Sequence, residues 1–510
     1  LCFHAWDHES FRTYSGGHDI PAIAVDKNGV SYKSITDFPA SRVVPHDHPI
    51  LVYYRWFWKQ GDGWNSLHTA AHRGLKSTGR NDIWTWFDPA VRCPSVWGNG
   101  AGLDVLSHWT YTYPDPLRVG WATDKVFAMA AGSPTPQRVM KMTQLIWYRS
   151  ETAPKPPPGQ PEHAPKTEWE QRLPEAQFIT IAPDHLREAF WAKIARPIEG
   201  IMYHGWGSLV DTGERSGYCF THPQTQEVVA ELTRRVVRPL GPMLLQVPDR
   251  PADVGLLESF TAQIFTQKPS SGRSIEDTHL TLRHAQLQPE VLFEESVLRS
   301  GLQRFRALVM PDCDVLTQPV VDRILEFQRR GGLVIADDFL PPAIAPDIRL
   351  PSHQRSGNPE RDKAALLTRA AALRQQLDPL YRRYVDSSNP EVVTRVRRFG
   401  STDYLFAVND HRERGGYVGA HGRVMERGLP SVATLSLARP TGYVYDLLKG
   451  RAVMPRFERG TLNMDHAFDP GGGALFMVTR RAIATVSVAG PRETVLGDTT
   501  RFTIRVTDES

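Results

Sequence analysis

Acidic side chains follow or adjoin short apolar runs in the first 210 residues, which is where a catalytic site would draw its groups. They are Glu9, Asp88, Asp104 and Glu151. Two carboxyl groups can hydrolyse a glycosidic bond, because one protonates the leaving oxygen while the other attacks or stabilises the anomeric carbon. These residue types indicate acid/base chemistry on a glycan.

Aromatic and polar side chains cluster at the same places, as expected of a pocket that stacks sugar faces on rings and orients them with a few polar groups. The expected substrate contacts are Trp6, His8, Asp88, His108, Trp109, Tyr111, Gln144, Trp147, His204 and Trp206. Structural roles compete with this interpretation. The rings can be core, the two strand-end histidines can be satisfied core residues, and Asp88 precedes Pro89 as in a turn. Asp104 begins its strand and is expected to be structural.

Strands alternating with helices must position these groups. The strands predicted here are LCFHAW (1–6), DIWTWFD (82–88), LDVLSHW (103–109), VMKMTQLIW (139–147) and IEGIMYHGW (198–206). Helical patterns fall between them, notably YYRWFWKQGDGWNSLHTAAHRGLK and PDHLREAFWAKIARP. Repeated βα units build a parallel sheet or barrel, and side chains converge where its strands end. Five strands are too few for an eight-stranded barrel, so we expect the C-terminal part of one, over 1–240.

Three further units are predicted after the barrel part. A doubly wound α/β sheet over 241–356 has the strands DVGLLES, VLFEE, ALVMPDC and GLVIADD, and its helix VVDRILEFQRR stops at two glycines. A charged helix over 357–385 leads into a β-sandwich, so that the unit spans 357–482. From 483 to 510 we expect the start of a further Ig-like β domain, with a single edge hairpin as the alternative.

The order of these segments resembles the family 42 β-galactosidases. AWDHES stands where the family's fourth barrel strand ends in a catalytic glutamate, FDPAVR fits the end of the fifth strand, and DVLSHWTY resembles the sixth. REAFWAKIARPIEGIMYHGW resembles the run into the eighth strand. ALVMPDCDVLTQPVVDRILEFQRRGGLVIADD closely resembles the flavodoxin-like middle domain through which these enzymes trimerise.

The resemblance implies a fold, an activity and an assembly. The fold is α/β, with a partial (β/α)8 TIM barrel, a flavodoxin-like doubly wound domain and a β-sandwich. The activity is hydrolysis of a β-galactoside or a related plant or algal glycan, with Glu9 as the catalytic acid/base. The assembly is a homo-oligomer, and a trimer if the family's arrangement is kept.

One departure from the family concerns the nucleophile. The family's seventh strand carries a nucleophilic glutamate near its end, and the alignment of VMKMTQLIW places Gln144 there. A neutral amide cannot form the glycosyl ester of a retaining mechanism. Glu151, just beyond the strand, is the nearest carboxylate and is the predicted nucleophile. The alternatives are an engineered or natural loss of the glutamate, or use of Asp88 or Asp104. Such a loss would leave a catalytically silent carbohydrate-binding or structural scaffold.

Composition narrows the other possibilities. Sixty basic and 56 acidic residues are spread along all 510 positions, so no basic stripe predicts nucleic-acid binding. The four cysteines and the histidines show no metal-ligand spacing, and we expect neither a metal nor a cofactor. No apolar run is long enough to span a bilayer. Both ends are expected to be cut, with a missing N-terminal segment, and the expected location is extracellular or periplasmic, of bacterial type.

Overall fold

The computed structural model describes residues 2–4, 40–56, 59, 64–88, 96–108, 110, 115–148, 178–209, 218–219, 223–265, 271–414 and 425–508. The strands up to residue 219 are β1 (Cys2–His4), β2 (Val43–Val44), β3 (Trp86–Asp88), β4 (Val105–Leu106), β5 (Arg138–Gln144), β6 (Ile146–Tyr148), β7 (Phe178–Thr180), β8 (Gly200–His204) and β9 (Tyr218–Cys219). The helices up to residue 244 are α1 (Pro49–Arg55), α2 (Trp64–Lys76), α3 (Arg118–Ala130), α4 (Pro183–Ile194), a 3-10 turn (Trp206–Leu209), α5 (Pro223–Leu232), a π turn (Thr233–Val237) and α6 (Arg238–Leu244).

The first sheet is parallel throughout, in the order β1-β3-β4-β5-β8. All five strands predicted from the sequence are therefore confirmed, and they are neighbours in the predicted order. Within the described residues they form an open sheet and not a closed barrel. Helix α3 covers one face, where Val126 and Met129 pack against Phe87, Leu106 and Val139.

The fourth predicted strand is divided in two. β5 ends at Gln144, and the N–H of buried Leu145 donates to the carbonyl of His204 at 2.7 Å. β6 then leaves the sheet, pairing antiparallel with β7, which pairs in parallel with β9. The described part of the predicted helix around residues 53–76 comprises α1, which ends at Arg55, and α2, which begins at Trp64.

A second parallel sheet follows. The strands of this region are β10 (Val254–Glu258), β11 (Pro289–Phe293), β12 (Ala307–Met310), β13 (Leu316–Thr317), β14 (Leu333–Ala336) and β15 (Ile348–Arg349). Of these, β13 is not part of the sheet. The sheet order is β11-β10-β12-β14-β15, while β13 pairs with β2. The flanking helices are α7 (Phe260–Phe265), α8 (Ser271–His284), α9 (Glu294–Ser300) and α10 (Gln318–Arg329). Separate apolar cores lie on its two faces, so helices cover both. Gly331, at φ +86°, ends the last helix as predicted.

The long helix α11 (Pro359–Leu377) connects this sheet to the sandwich. It is capped by Asn358, whose side-chain oxygen accepts from the N–H groups of Glu360 and Arg361 at 3.1 Å each. The helix is shorter than the predicted 357–385. It stops one residue before the Asp378-Pro379 pair, because a helix does not continue through proline without losing a hydrogen bond.

The remaining chain is antiparallel. Its strands are β16 (Val385–Ser387), β17 (Val392–Phe399), β18 (Thr402–Asn409), β19 (Arg412–Arg414), β20 (Met425–Gly428), β21 (Ser431–Leu437), β22 (Tyr443–Asp446), β23 (Arg451–Val453), β24 (Arg456–Glu458), β25 (Thr461–Phe468), β26 (Gly473–Thr479), β27 (Ile483–Ala489) and β28 (Thr503–Asp508). Two sheets, β16-β21-β25-β24 and β17-β18-β26-β22-β23, share one apolar core, as the sandwich prediction requires. β27 and β28 form a separate hairpin, and its assignment to a further domain stays a prediction.

The fold is thus mixed α/β, with two parallel sheets and a separate antiparallel sandwich. No helix in the described part of the chain is both long and apolar enough to cross a membrane.

Candidate functional site

The first sheet has one face covered by helices and one that faces away from them. Side chains alternate between the faces of a strand. Phe87, Leu106 and Val139 mark the helix-covered face, since they pack on α3. Their neighbours Asp88 and Ser107 therefore lie on the other face, which we call the inner face. The parallel pairing extends to Ser107, whose N–H donates to the carbonyl of Phe87 at 3.0 Å.

The carboxyl end of β5 fits the same assignment. Thr143 lies on the helix-covered face, because its hydroxyl accepts from Lys193 Nζ of α4 at 2.8 Å. Tyr203 of β8 is on that face too, with its ring centroid 4.4 Å from the same nitrogen. Gln144 and His204, one residue further on each strand, are direct register partners on the inner face.

The register sets how deep each inner residue lies. Phe87 pairs with Leu106 and Leu106 with Val139, so one step on, Asp88, Ser107 and Met140 are level. Gln144 is four residues nearer the carboxyl end than Met140. At about 3.3 Å per residue that is about 13 Å along the strand. Asp88 and Ser107 therefore lie deep in the sheet, and Gln144 and His204 lie at its carboxyl edge.

Gln144 is the most unusual side chain at that edge. It is 1% exposed, and neither its amide oxygen nor its amide nitrogen has a hydrogen-bond partner in the described structure. The hydroxyl of Ser107 and the indole nitrogen of Trp86 are in the same condition deeper on the sheet. Buried polar side chains are nearly always hydrogen-bonded, so an unbonded buried amide calls for a partner that the described residues do not supply. The amide offers both donors and an acceptor.

Asp88 is buried and opposes a buried cation. Lys141 is fully buried on β5; its Nζ donates to the carbonyl of His108, to the hydroxyl of Thr110 and, at 3.1 Å, to the carbonyl of Met142. Burial lowers the pKa of Lys141 to about 7, and the carboxylate of Asp88 works against that lowering. Asp88 thus balances charge inside the sheet, and Lys141 fixes the backbone after β4.

Asp104 lies at the opposite, amino end of the strands. Its carboxylate accepts from the N–H of Thr85 at 2.8 Å and pairs with Lys76 Nζ at 3.0 Å. Burial raises its pKa, but the Thr85 and Lys76 contacts outweigh burial and leave it lowered. The expectation that Asp104 is structural agrees with these contacts.

The other predicted site residues divide into two groups. His108 is buried, with its Nδ1 3.1 Å from the hydroxyl of Thr110, and His204 is half-buried at the carboxyl edge. Trp147 lies in β6 and Trp206 opens the 3-10 turn, so the backbone places both just beyond the carboxyl ends of β5 and β8. The predictions that fall outside the described residues are those for Trp6, His8, Glu9, Trp109, Tyr111 and Glu151.

Two residues of this region were not predicted from the sequence. Ser107 lies within the predicted strand LDVLSHW, two positions after Val105. Its place on the inner face follows only once the register is known. Lys141 is a lysine within an apolar strand, VMKMTQ, and that pattern was the available signal for a buried cation.

Comparison with solved structures identifies the fold. An α-L-fucosidase from Paenibacillus thiaminolyticus aligns over 82% of this chain and 71% of its own, at 12% identity and a TM-score of 0.52. A β-galactosidase from Bacillus circulans sp. alkalophilus aligns over 81% and 66%, at 12% identity and a TM-score of 0.51. Gan42B, a family 42 β-galactosidase from G. stearothermophilus, aligns over 90% and 73%, at 13% identity and a TM-score of 0.52.

The resemblance to family 42 β-galactosidases is confirmed at the level of the fold. These enzymes are glycoside hydrolases, and so is the fucosidase, so the same fold accompanies more than one sugar specificity. The chain spans 66 to 73% of the length of these neighbours. No family model and no curated protein matches the sequence.

Proposed function

We propose that this protein is a glycoside hydrolase that acts on a β-galactoside or a related plant or algal glycan. The observation that carries the proposal is the carboxyl edge of the first sheet, where Gln144 and His204 lie side by side on the inner face of a glycoside-hydrolase fold. Parallel βα sheets place catalytic groups at that edge. Identity near 12% supports the fold alone, so the substrate rests on the resemblance of the sequence.

In the proposed mechanism Glu9 is the general acid/base. The support for this assignment is the sequence resemblance, in which AWDHES stands where the family's fourth barrel strand ends in a catalytic glutamate. A carboxylic acid in that role would protonate the leaving oxygen.

The second carboxylate is proposed to be Glu151, as the nucleophile. The position of Asp88, deep in the first sheet, argues against the alternative in which Asp88 is the nucleophile. Asp88 lies about 13 Å along the strands and two strands, about 10 Å, across from Gln144. Two carboxyl groups that act on one anomeric carbon lie about 5 to 5.5 Å apart when the mechanism retains configuration and about 6.5 to 9.5 Å apart when it inverts. Asp88 is farther than either distance from Gln144, the position at which the family carries its nucleophile.

Glu9→Gln tests the acid/base assignment. We expect activity on alkyl and sugar leaving groups to fall by about 10²-fold or more, while aryl glycosides with acidic phenols lose far less, because only a poor leaving group needs the proton. Glu199→Gln is the matched control, since Glu199 is an exposed glutamate paired with Arg138 just before β8, at the amino edge of the sheet. Equal loss on both substrate types would refute the assignment.

Assembly and location complete the proposal. The second parallel sheet has the strand order 2-1-3-4-5 that flavodoxin-like sheets show, which supports a flavodoxin-like domain, while the trimerisation role rests on the sequence resemblance. We propose a homo-oligomer, with three-fold symmetry as the family's arrangement suggests, in an extracellular or periplasmic compartment.

A further inference from the structure

The amide of Gln144, a substrate contact predicted from the sequence, is buried, unbonded and placed at the carboxyl edge, and neither the proposed acid/base step nor the proposed nucleophilic step uses it. Its strand neighbour Thr143 bonds to Lys193, while both polar atoms of Gln144 have no partner in the described structure. Gln286, equally buried in the segment between α8 and β11, shows the usual hydrogen bonding of a buried amide. Its amide nitrogen donates to the carbonyl of Val392 at 2.9 Å, and its oxygen accepts from the hydroxyl of Thr394 at 2.8 Å.

The chemistry around Gln144 favours an uncharged ligand. A glutamine amide donates and accepts at once, as a sugar hydroxyl does, so the two can form a paired contact. The buried lysines Lys141 and Lys193 bond on the helix-covered side of the sheet or within its backbone. On the inner face of the described strands the charged side chains are Asp88 and Arg138, which lie about 13 Å or more along the strands from Gln144, so neither pairs with a ligand at its level and no lysine or arginine of these strands is there to bind a sulfate or a uronate.

Distance separates this contact from the other unbonded polar atoms. Ser107 is about 13 Å deeper along the strands, and Trp86 is deeper still by the register. One sugar hydroxyl cannot reach both levels. The side chain that shares the level of Gln144 on the next strand is His204.

We propose that Gln144, beside His204, forms a hydrogen-bonding subsite for the hydroxyl groups of a neutral sugar ring, and that residue 144 holds the substrate without forming a glycosyl ester. The inference rests on the proposed function and deepens it. The position that carries a nucleophile in family 42 serves here as a specificity-determining contact. Any covalent step then belongs to another carboxylate.

The test compares Gln144→Met with Gln286→Met. The probe is isopropyl β-D-thiogalactoside, a neutral galactoside that resists hydrolysis, with galacturonate as the charged probe; binding is measured by calorimetry and stability by thermal unfolding. Replacing an unbonded buried amide with an apolar group of similar size is nearly neutral, whereas removing a bonded one leaves its partners unsatisfied. Gln144→Met should keep the midpoint of wild type and bind the thiogalactoside about tenfold more weakly or worse. Gln286→Met should lose stability and keep the affinity.

Each outcome has a distinct meaning. Failure of Gln144→Met to fold, or a fall in its midpoint like that of Gln286→Met, would overturn the inference, because the amide would then be bonded within the protein. Unchanged affinity in Gln144→Met would overturn the inference, and so would tighter binding of galacturonate than of the thiogalactoside by wild type. In either case, hydrolysis by wild type would leave the proposed function intact. Binding that depends on Gln144 without any hydrolysis would support the subsite and defeat the proposed function. Neither binding nor hydrolysis by wild type would defeat both.

Discussion

Asp124 of α3 is predicted to be the most sensitive buried carboxylate at the junction of the three units. It is 6% exposed and accepts two bonds from Arg196, at 2.9 and 2.8 Å. Arg395 of β17 lies 3.1 Å away and His279 of α8 2.9 Å away. Burial raises the pKa of Asp124, but the two arginines and the histidine outweigh burial and hold it well below its usual value.

Asp124→Asn should lower the free energy of unfolding by about 3 to 5 kcal/mol at pH 7, the cost of breaking a buried ion pair. The substitution preserves shape but removes the charge between two buried arginines. The partner left to Arg395 is Asp249, at 2.5 Å, while Arg196 keeps its bond to the carbonyl of Ala192. A depressed carboxyl pKa contributes stability that is present above about pH 4 and lost as pH falls below it, so the variant and wild type should converge in acid.

Urea unfolding followed by circular dichroism measures this loss. The matched control is Asp82→Asn, because Asp82 also receives two bonds from one arginine, Arg80 at 2.9 and 2.7 Å, but is exposed. The control should leave the unfolding midpoint unchanged within error, since exposed pairs contribute little. An Asp124→Asn loss below about 1 kcal/mol would refute the argument that burial makes this cluster costly to break.

Two further predictions concern pH and assembly. Burial raises the pKa of Asp277 to about 6 against the attraction of Arg355. A raised carboxyl pKa gives stability that is full below the unfolded value near 4 and lost as pH rises through 6, so Asp277→Asn should raise the melting temperature at pH 8 and not at pH 4; an equal change at both pH values would contradict this. Light scattering at micromolar concentration should show an oligomer, and a monomer would count against the assembly proposed from the second sheet.

The sequence predicted the strands of the first sheet well because each is a short apolar run that ends in polar or aromatic residues. Their neighbour order followed from the βα pattern. The break at Leu145 was not predictable, because it depends on the antiparallel pairing of β6 with β7, a strand that is distant from it in the sequence. Periodicity within VMKMTQLIW carries no information about that contact.

The position of each site residue along the strands could not be predicted from the sequence either. Asp88 ends one predicted strand and Gln144 lies near the end of another, and both were expected at the same edge. The register separates them by four residues along the strands, because β3 ends lower than β5. The sequence also does not predict whether a buried amide is hydrogen-bonded, since the structure is needed to distinguish Gln144 from Gln286 in this respect.

The central claim is that the carboxyl edge of the first sheet hydrolyses a glycosidic bond, and proton NMR of a β-galactoside incubated with the protein tests it most directly. We predict that free galactose appears, that the β anomer forms first if Glu151 is the nucleophile, and that Glu199→Gln does not change the rate. Release of the α anomer first would replace Glu151 with a water-activating base and keep the claim of hydrolysis. Absence of released sugar from β-galactosides, β-glucosides and α-fucosides alike would contradict the account.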